Sequence, residues 1–217
     1  LRGGVLKSAI ILARKILPFN PWKVYWWVYF GPWTWLFRGL SLLIPKQKNL
    51  FIFGSNEGLH FSDNSRSLFE YVHDNDDSIK AVWFTKSRDV FEEIEAKYPG
   101  AVVKSPSIKA AFLYLRAEQA VISYGHQDLC KMPWIPSIKI NQLWHGVPLK
   151  KIGLLKSKDE INSDYGESGR LFLRWCGKVD RFFAASDYER NNHSDAFDIP
   201  KSRFRITGNP RNDCLYD

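Results

Sequence analysis

Short apolar runs recur along this chain, separated by stretches whose apolar residues follow a helical period. Asn49–Phe53 (NLFIF), Ile79–Thr85, Ala101–Lys104, Ala120–Ser123, the alternating Ile138–Asn141 and Arg181–Ala185 (RFFAA) read as strands. Between them, Asp63 or Asn64 caps a predicted helix to about His73, with Leu68, Phe69 and Val72 inward. Ser87–Lys97, Ser107–Arg116, Leu171–Cys176 and Asp187–Ala196 read as further helices, and Phe204–Thr207 leads into a Gly-Asn-Pro turn. Strands alternating with helices predict an α/β fold, a Rossmann-like parallel sheet with helices on both faces. Leu154–Gly169 lacks an apolar period and reads as a mobile loop placed to act as a lid.

The first 48 residues break this pattern. Val5–Leu17 is predicted as an amphipathic helix, with Leu6, Ile10, Ala13 and Leu17 on one stripe and Lys7, Arg14 and Lys15 off it. Pro18 and Pro21 end it, and an aromatic stretch follows that holds Trp22, Lys23, Trp26, Trp27, Trp33, Trp35 and Arg38. Only 14 residues separate Lys23 from Arg38, and Gly31-Pro32 interrupts them. A bilayer span needs about 20 apolar residues. Tryptophan and tyrosine favour the headgroup zone, so the segment reads as an interfacial membrane anchor. A re-entrant span, or a helix packed on the protein's own surface, is the alternative.

Charge sharpens the division. The net charge is +8, and residues 1–48 carry eight Lys and Arg with no Asp or Glu, while the remaining 23 Lys and Arg match 23 Asp and Glu. We therefore divide the chain into a basic membrane-interface segment, 1–48, and a Rossmann-like domain, 49–217. At 45% hydrophobic and 25% charged residues, the composition is that of a globular chain. Cys130, Cys176 and Cys214 have neither metal-ligand nor paired spacing, which argues against a disulfide scaffold or a zinc site. The chain begins at Leu1, which suggests a fragment or a processed product. Gly54-Ser55-Asn56-Glu57-Gly58 fits no phosphate-binding glycine fingerprint, and Asp74–Asp77 reads as a solvated turn.

Candidate chemistry gathers after the Ile138–Asn141 strand. Trp144, His145, Gly146, Val147 and Pro148 form a turn that Lys150 and Lys151 follow. In an open α/β sheet such a strand end faces the ligand crevice. His145 can act there as base or donor, with the lysines as nearby positive charge. A hydrogen-bonded structural histidine is the competing reading. His126, in a turn after the preceding strand, is a candidate for the same cleft, whereas His60, His73 and His193 read as loop or helix-surface residues.

Two stretches carry a family resemblance: Trp144-His145-Gly146-Val147-Pro148-Leu149-Lys150 and Thr207-Gly208-Asn209-Pro210-Arg211-Asn212-Asp213. With Phe53-Gly54-Ser55 and Phe61-Ser62-Asp63-Asn64, they resemble the CDP-glycerol glycerophosphotransferase family of teichoic acid polymerases and primases. The resemblance covers Asn49–Asp217. It implies the N-terminal, acceptor-side half of a GT-B arrangement, the C-terminal nucleotide-binding domain being absent and this half inactive alone. Glycerol phosphate, or a related polyol phosphate, would pass from a CDP-activated donor to a hydroxyl of a lipid-linked acceptor. By this resemblance His145 matches the proposed general base, and Trp144, Gly146, Val147, Pro148, Arg211 and Asn212 border the donor site. Lys150 and Lys151 are candidate phosphate-facing residues, and Ser55 and His126 candidate cleft residues. The alternative for Arg211 is an ion pair with Asp213. The resemblance also implies peripheral attachment to the cytoplasmic face of the membrane and no cofactor beyond the donor; neither a metal nor nucleic acid is expected. The rival readings are a GT-B glycosyltransferase using a nucleotide-sugar and a noncatalytic membrane-associated module.

Overall fold

The computed structural model describes residues 34–129, 137–166, 173, 174 and 176–215. Seven strands make one sheet: β1 (Gln47–Gly54), β2 (Lys80–Thr85), β3 (Val102–Lys104), β4 (Ala117–Ile122), β5 (Lys139–Gln142), β6 (Arg181–Ala184) and β7 (Phe204–Ile206). Their order is β3-β2-β1-β4-β5-β6-β7, and every neighbouring pair is parallel. The chain builds outward from β1 to β3, returns, and builds outward again from β4. This reversal leaves a crevice between the carboxyl ends of β1 and β4, where ligands bind in such sheets.

Parallel strands covered on both faces need apolar residues on both. In β1, Leu50 and Ile52 enter one core with Phe84, Tyr114, Ile140 and Phe182, while Phe53 enters the other with Phe69, Trp83, Ile94 and Tyr98. The two-residue alternation of a strand makes that division. The helices are α1 (residues 34–43), α2 (Asp63–Asn75), α3 (Arg88–Lys97), α4 (Ile108–Arg116), α5 (Lys158–Tyr165) and α6 (Asp187–Phe197). Serine begins four of them: Ser87, Ser107, Ser157 and Ser186 each accept a backbone N–H of the first turn. Such a cap satisfies a donor that the helix cannot.

Two expectations change. Within Leu154–Gly169, residues 158–165 are α5, closed by a reciprocal capping box between Ser157 and Glu160 and anchored by the fully buried Ile161. Only one residue of α5 is buried, so it left no apolar period in the sequence. α1 packs Phe37 and Leu40 against the core and buries Ser41, and Ile44 just past its end packs there too, so the segment is continuous with the sheet's packing across the division drawn at residue 48. Its other face exposes Trp35 and Leu43, at 71% and 81%, and the Arg38 guanidinium lies 5.5 Å from the Trp35 ring centre. The Val5–Leu17 helix, Trp22, Lys23, Trp26, Trp27 and Trp33 lie outside the described residues, as does most of Leu171–Cys176. No helix among the described residues is long and apolar enough to cross a membrane.

Candidate active site

Loops that follow β1, β4, β5 and β7 meet at the carboxyl edge of the sheet. Asp128 organises the second of them. It is fully buried, and its carboxylate accepts N–H bonds from Ser123 (3.0 Å), Tyr124 (2.7 Å) and Gly125 (3.2 Å), and from Glu57 of the loop after β1 (3.0 Å). Burial pushes its carboxyl above the usual range, against four donors that favour the charged form. Gly54 makes this approach possible, because a Cβ there would lie 2.4 Å from the Asp128 carbonyl oxygen.

The Ser123 carbonyl, fixed by that turn, lies 3.1 Å from His145 Nδ1. A carbonyl can only accept, so Nδ1 carries the proton, and in the neutral ring Nε2 carries the lone pair. The imidazole is held between two aromatic faces. Tyr124 stacks on it with centroids 4.2 Å apart at 9°, and Trp144 at 4.4 Å and 26°. The Trp144 backbone is left-handed, at φ 57°, an uncommon conformation for a bulky residue. Side chains hold it there on both sides: Gln142 Oε1 accepts the Trp144 N–H at 3.1 Å, and Asn64 Nδ2 donates to its carbonyl at 2.8 Å.

Asn64 is fully buried and joins three loops. Besides Trp144, its amide donates toward the Leu143 carbonyl and Asn209 Oδ1, each at 3.3 Å, and accepts the Arg211 N–H at 3.2 Å. Neighbouring Asp63, also left-handed at φ 62°, accepts the Tyr124 hydroxyl on one oxygen and Arg211 Nη1 on the other, both at 2.7 Å. Burial, then the Asp63 hydrogen bond, push the Tyr124 phenol up to about 12, which keeps it a donor. The Arg211 guanidinium extends over Gly146, where a Cβ would lie 3.2 Å from Nη2. His145, Trp144, Gly146 and Arg211 are thus brought together, and the ion partner of Arg211 is Asp63 rather than Asp213.

The likeness to known proteins agrees with this fold. A family model for CDP-glycerol:poly(glycerophosphate) glycerophosphotransferase matches residues 36–217. The chain belongs to this glycerophosphotransferase family. It is 30% identical over 192 residues to the teichoic acid poly(glycerol phosphate) polymerase of Bacillus spizizenii, a match that covers 83% of this chain and 45% of the relative. To the teichoic acid glycerol-phosphate transferase of Staphylococcus aureus it is 30% identical over 185 residues, 82% of this chain and 44% of that protein. The chain therefore spans about half the length of the curated relatives it matches. Among solved structures, the wall teichoic acid polymerase TagF superposes with a TM-score of 0.68 at 19% identity, over 85% of this chain and 43% of that one. A TagF form soaked with CDPG gives 0.66 at 20% identity, over 82% and 45%.

This member of the family places the other expected residues unevenly. Val147, Lys150, Lys151 and Asn212 are exposed, and Pro148 is half-buried beside them. Neither lysine makes a hydrogen bond or ion pair among the described residues. Ser55 is not a cleft residue: it is fully buried, and its hydroxyl lies 3.4 Å from that of Ser62 under the loop. His126, 5% exposed, lines a cavity of about 250 Å³ that Trp144, Tyr124, Gln142 and Phe182 also wall. His193 is not a surface residue either. It is fully buried against the edge of Trp144, 4.6 Å between centroids, and its Nδ1 lies 2.9 Å from the Glu189 carbonyl. Burial holds its imidazole down to about 4. Asn64, Tyr124, Gln142 and Asp128 were not foreseen as site residues. For Tyr124, Gln142 and Asp128 the signal is position, at or just past strand ends, while Asn64 stands at a helix start within the Phe61-Ser62-Asp63-Asn64 stretch. Among the described residues no three His, Cys, Asp or Glu side chains gather as a metal site.

Proposed function

We propose that this chain is the base-bearing, acceptor-side half of a GT-B-type enzyme. The enzyme would move glycerol phosphate, or a related polyol phosphate, from a CDP-activated donor to a hydroxyl of a lipid-linked acceptor. The observation that carries the reading is the tautomer that the Ser123 carbonyl imposes on His145, which leaves Nε2 as a proton acceptor, with the Arg211 guanidinium over the next residue, Gly146. The acceptor oxygen would attack the donor's β-phosphorus as its proton passes to Nε2. The bond from that phosphorus to the bridging oxygen would break, and CMP would leave. Arg211 is placed to offset charge on the phosphoryl oxygens. The nucleotide-holding half belongs to the family's remaining length.

The same proposal sets the chain on the cytoplasmic face of a membrane, with α1 and α4 toward lipid. Leu42 and Ile108 are 85% and 91% exposed, and Trp35, Leu43 and Phe112 accompany them. Phe37 of α1 packs on Tyr114 of α4, so the two helices are neighbours. Arg38 and Arg116 lie against Trp35 and Phe112, and neither residues 1–56 nor residues 96–117 contain Asp or Glu. Apolar side chains interleaved with cations suit an anionic lipid surface.

The test of the chemistry is His145→Ala in the full-length protein, assayed for transfer from CDP-glycerol. A loss of about 10²–10⁴ in kcat with an unchanged melting temperature is expected for a general base. Turnover within tenfold of the unsubstituted protein would remove His145 from that role.

A further inference from the structure

We infer that Asp63 is a positioning residue for both halves of the reaction, holding His145 through Tyr124 and directing Arg211 toward the donor phosphate. The inference rests on the reading of His145 and Arg211 above.

Asp63 is the first residue of α2, where a carboxylate is ordinarily turned back onto the helix's own N–H groups. This one is not. Its two oxygens leave the helix in different directions, one to the Tyr124 hydroxyl and one to Arg211 Nη1, both at 2.7 Å. The partners come from the loops after β4 and β7, 61 and 148 residues away in the chain. The backbone gives no reason for an acid, since glycine or asparagine suits φ 62° as well. A carboxylate has an oxygen for each partner, one for the phenol and one for the guanidinium, and a charge that the guanidinium meets.

Each link ends at a group named for the reaction. Tyr124 lies flat on the His145 ring, so fixing its hydroxyl fixes the plane against which the imidazole rests. Arg211 has Nη1 tied to Asp63 and Nη2 over Gly146, where the missing side chain leaves the space open. A guanidinium held by one nitrogen presents its others in a known direction, which lowers the ordering needed when a phosphate arrives. Trp144 closes the opposite face of His145 and is fixed independently by Asn64 and Gln142, so the Tyr124 face is the one that Asp63 controls.

The two links can be separated by substitutions that respect the backbone. Asp63→Asn keeps an acceptor for Tyr124 but loses the charge that holds Arg211. Asp63→Gly removes both links at a φ that glycine adopts freely, and Tyr124→Phe removes only the hydroxyl. CDP-glycerol affinity is measured by calorimetry on the full-length protein in a His145→Ala background, which separates donor binding from turnover. kcat is measured with His145 intact. Asp63→Asn should raise the donor Kd about threefold to tenfold, as expected for a partly exposed ion pair, and lower kcat with it, because the Arg211 it releases also faces charge on the phosphoryl oxygens. Tyr124→Phe should lower kcat severalfold and leave the donor Kd alone. Asp63→Gly should do both, and it should add nothing to the Kd effect of Arg211→Ala. A donor Kd in Asp63→Gly within twofold of the parent, or full additivity with Arg211→Ala, overturns the inference. If the Kd effects appear but His145→Ala retains turnover, the assignment of the base fails and the role of Asp63 toward Arg211 stands.

Discussion

Gly54 and Asn64 are each decided by a single atom placed against another loop. A methyl group on Gly54 would meet the Asp128 backbone, with Cβ 2.4 Å from its oxygen and 2.8 Å from its carbon. A backbone cannot swing aside as a side-chain tip can, so Gly54→Ala should destabilise by about 2–3 kcal/mol in denaturant unfolding. The displaced Asp128 also holds the N–H groups of residues 123–125, so the His145 partner would move with it. Asn64→Ala should cost about 1–2 kcal/mol, because it leaves the Trp144 carbonyl and the Arg211 N–H without their partner in a partly buried place. A melting temperature unchanged by Asn64→Ala would show that the three loops close without it. At this scale the sequence is uneven as a guide. His145 and Arg211 stand out because each sits in a motif with glycine and proline. Asn64 does not, because an asparagine near a helix start reads equally well as a cap, and its four partners lie 79 to 147 residues away.

Elements were legible where burial was two-sided or periodic. Each predicted strand appears within a few residues of its expected place, because a short run such as NLFIF has few alternatives when both faces must be covered. α5 shows the converse: one buried residue carries it, and its readable signal was the Ser157–Glu160 capping pair rather than any apolar stripe. α1 and α4 carry surplus apolar surface that the fold does not use. Replacing Trp35, Leu42, Leu43, Ile108 and Phe112 together by serine should weaken cosedimentation with vesicles rich in anionic lipid by at least tenfold. The melting temperature should change little, since these side chains stand half to nine-tenths exposed. Unaltered vesicle binding would place lipid contact elsewhere on the protein.

At the scale of the molecule, the site and the stability of the fold share His193. Its imidazole lies among Trp144, Phe182 and Phe197, and Trp144 in turn stacks on His145. Burial holds the His193 group at about 4, below its ordinary 6.5, so the folded protein resists a proton that the unfolded chain takes. The contribution to stability is therefore complete above about 6.5 and is lost as pH falls toward 4. The difference between those two values corresponds to roughly 3 kcal/mol. Asp128 acts with the opposite sign: burial raises its carboxyl, so the folded state gains as that group takes up a proton. The two effects overlap in acid, and the total curve alone would not separate them. The comparison that does is His193→Phe, an aromatic of similar size for an aromatic surround, measured beside the parent by guanidinium unfolding from pH 7.5 to 4. The parent should lose stability relative to the variant over that range, with the gap opening below pH 6.5. Parallel curves would mean that the buried imidazole opens to solvent before it titrates, and that the ring behind Trp144 does not restrain the site in acid.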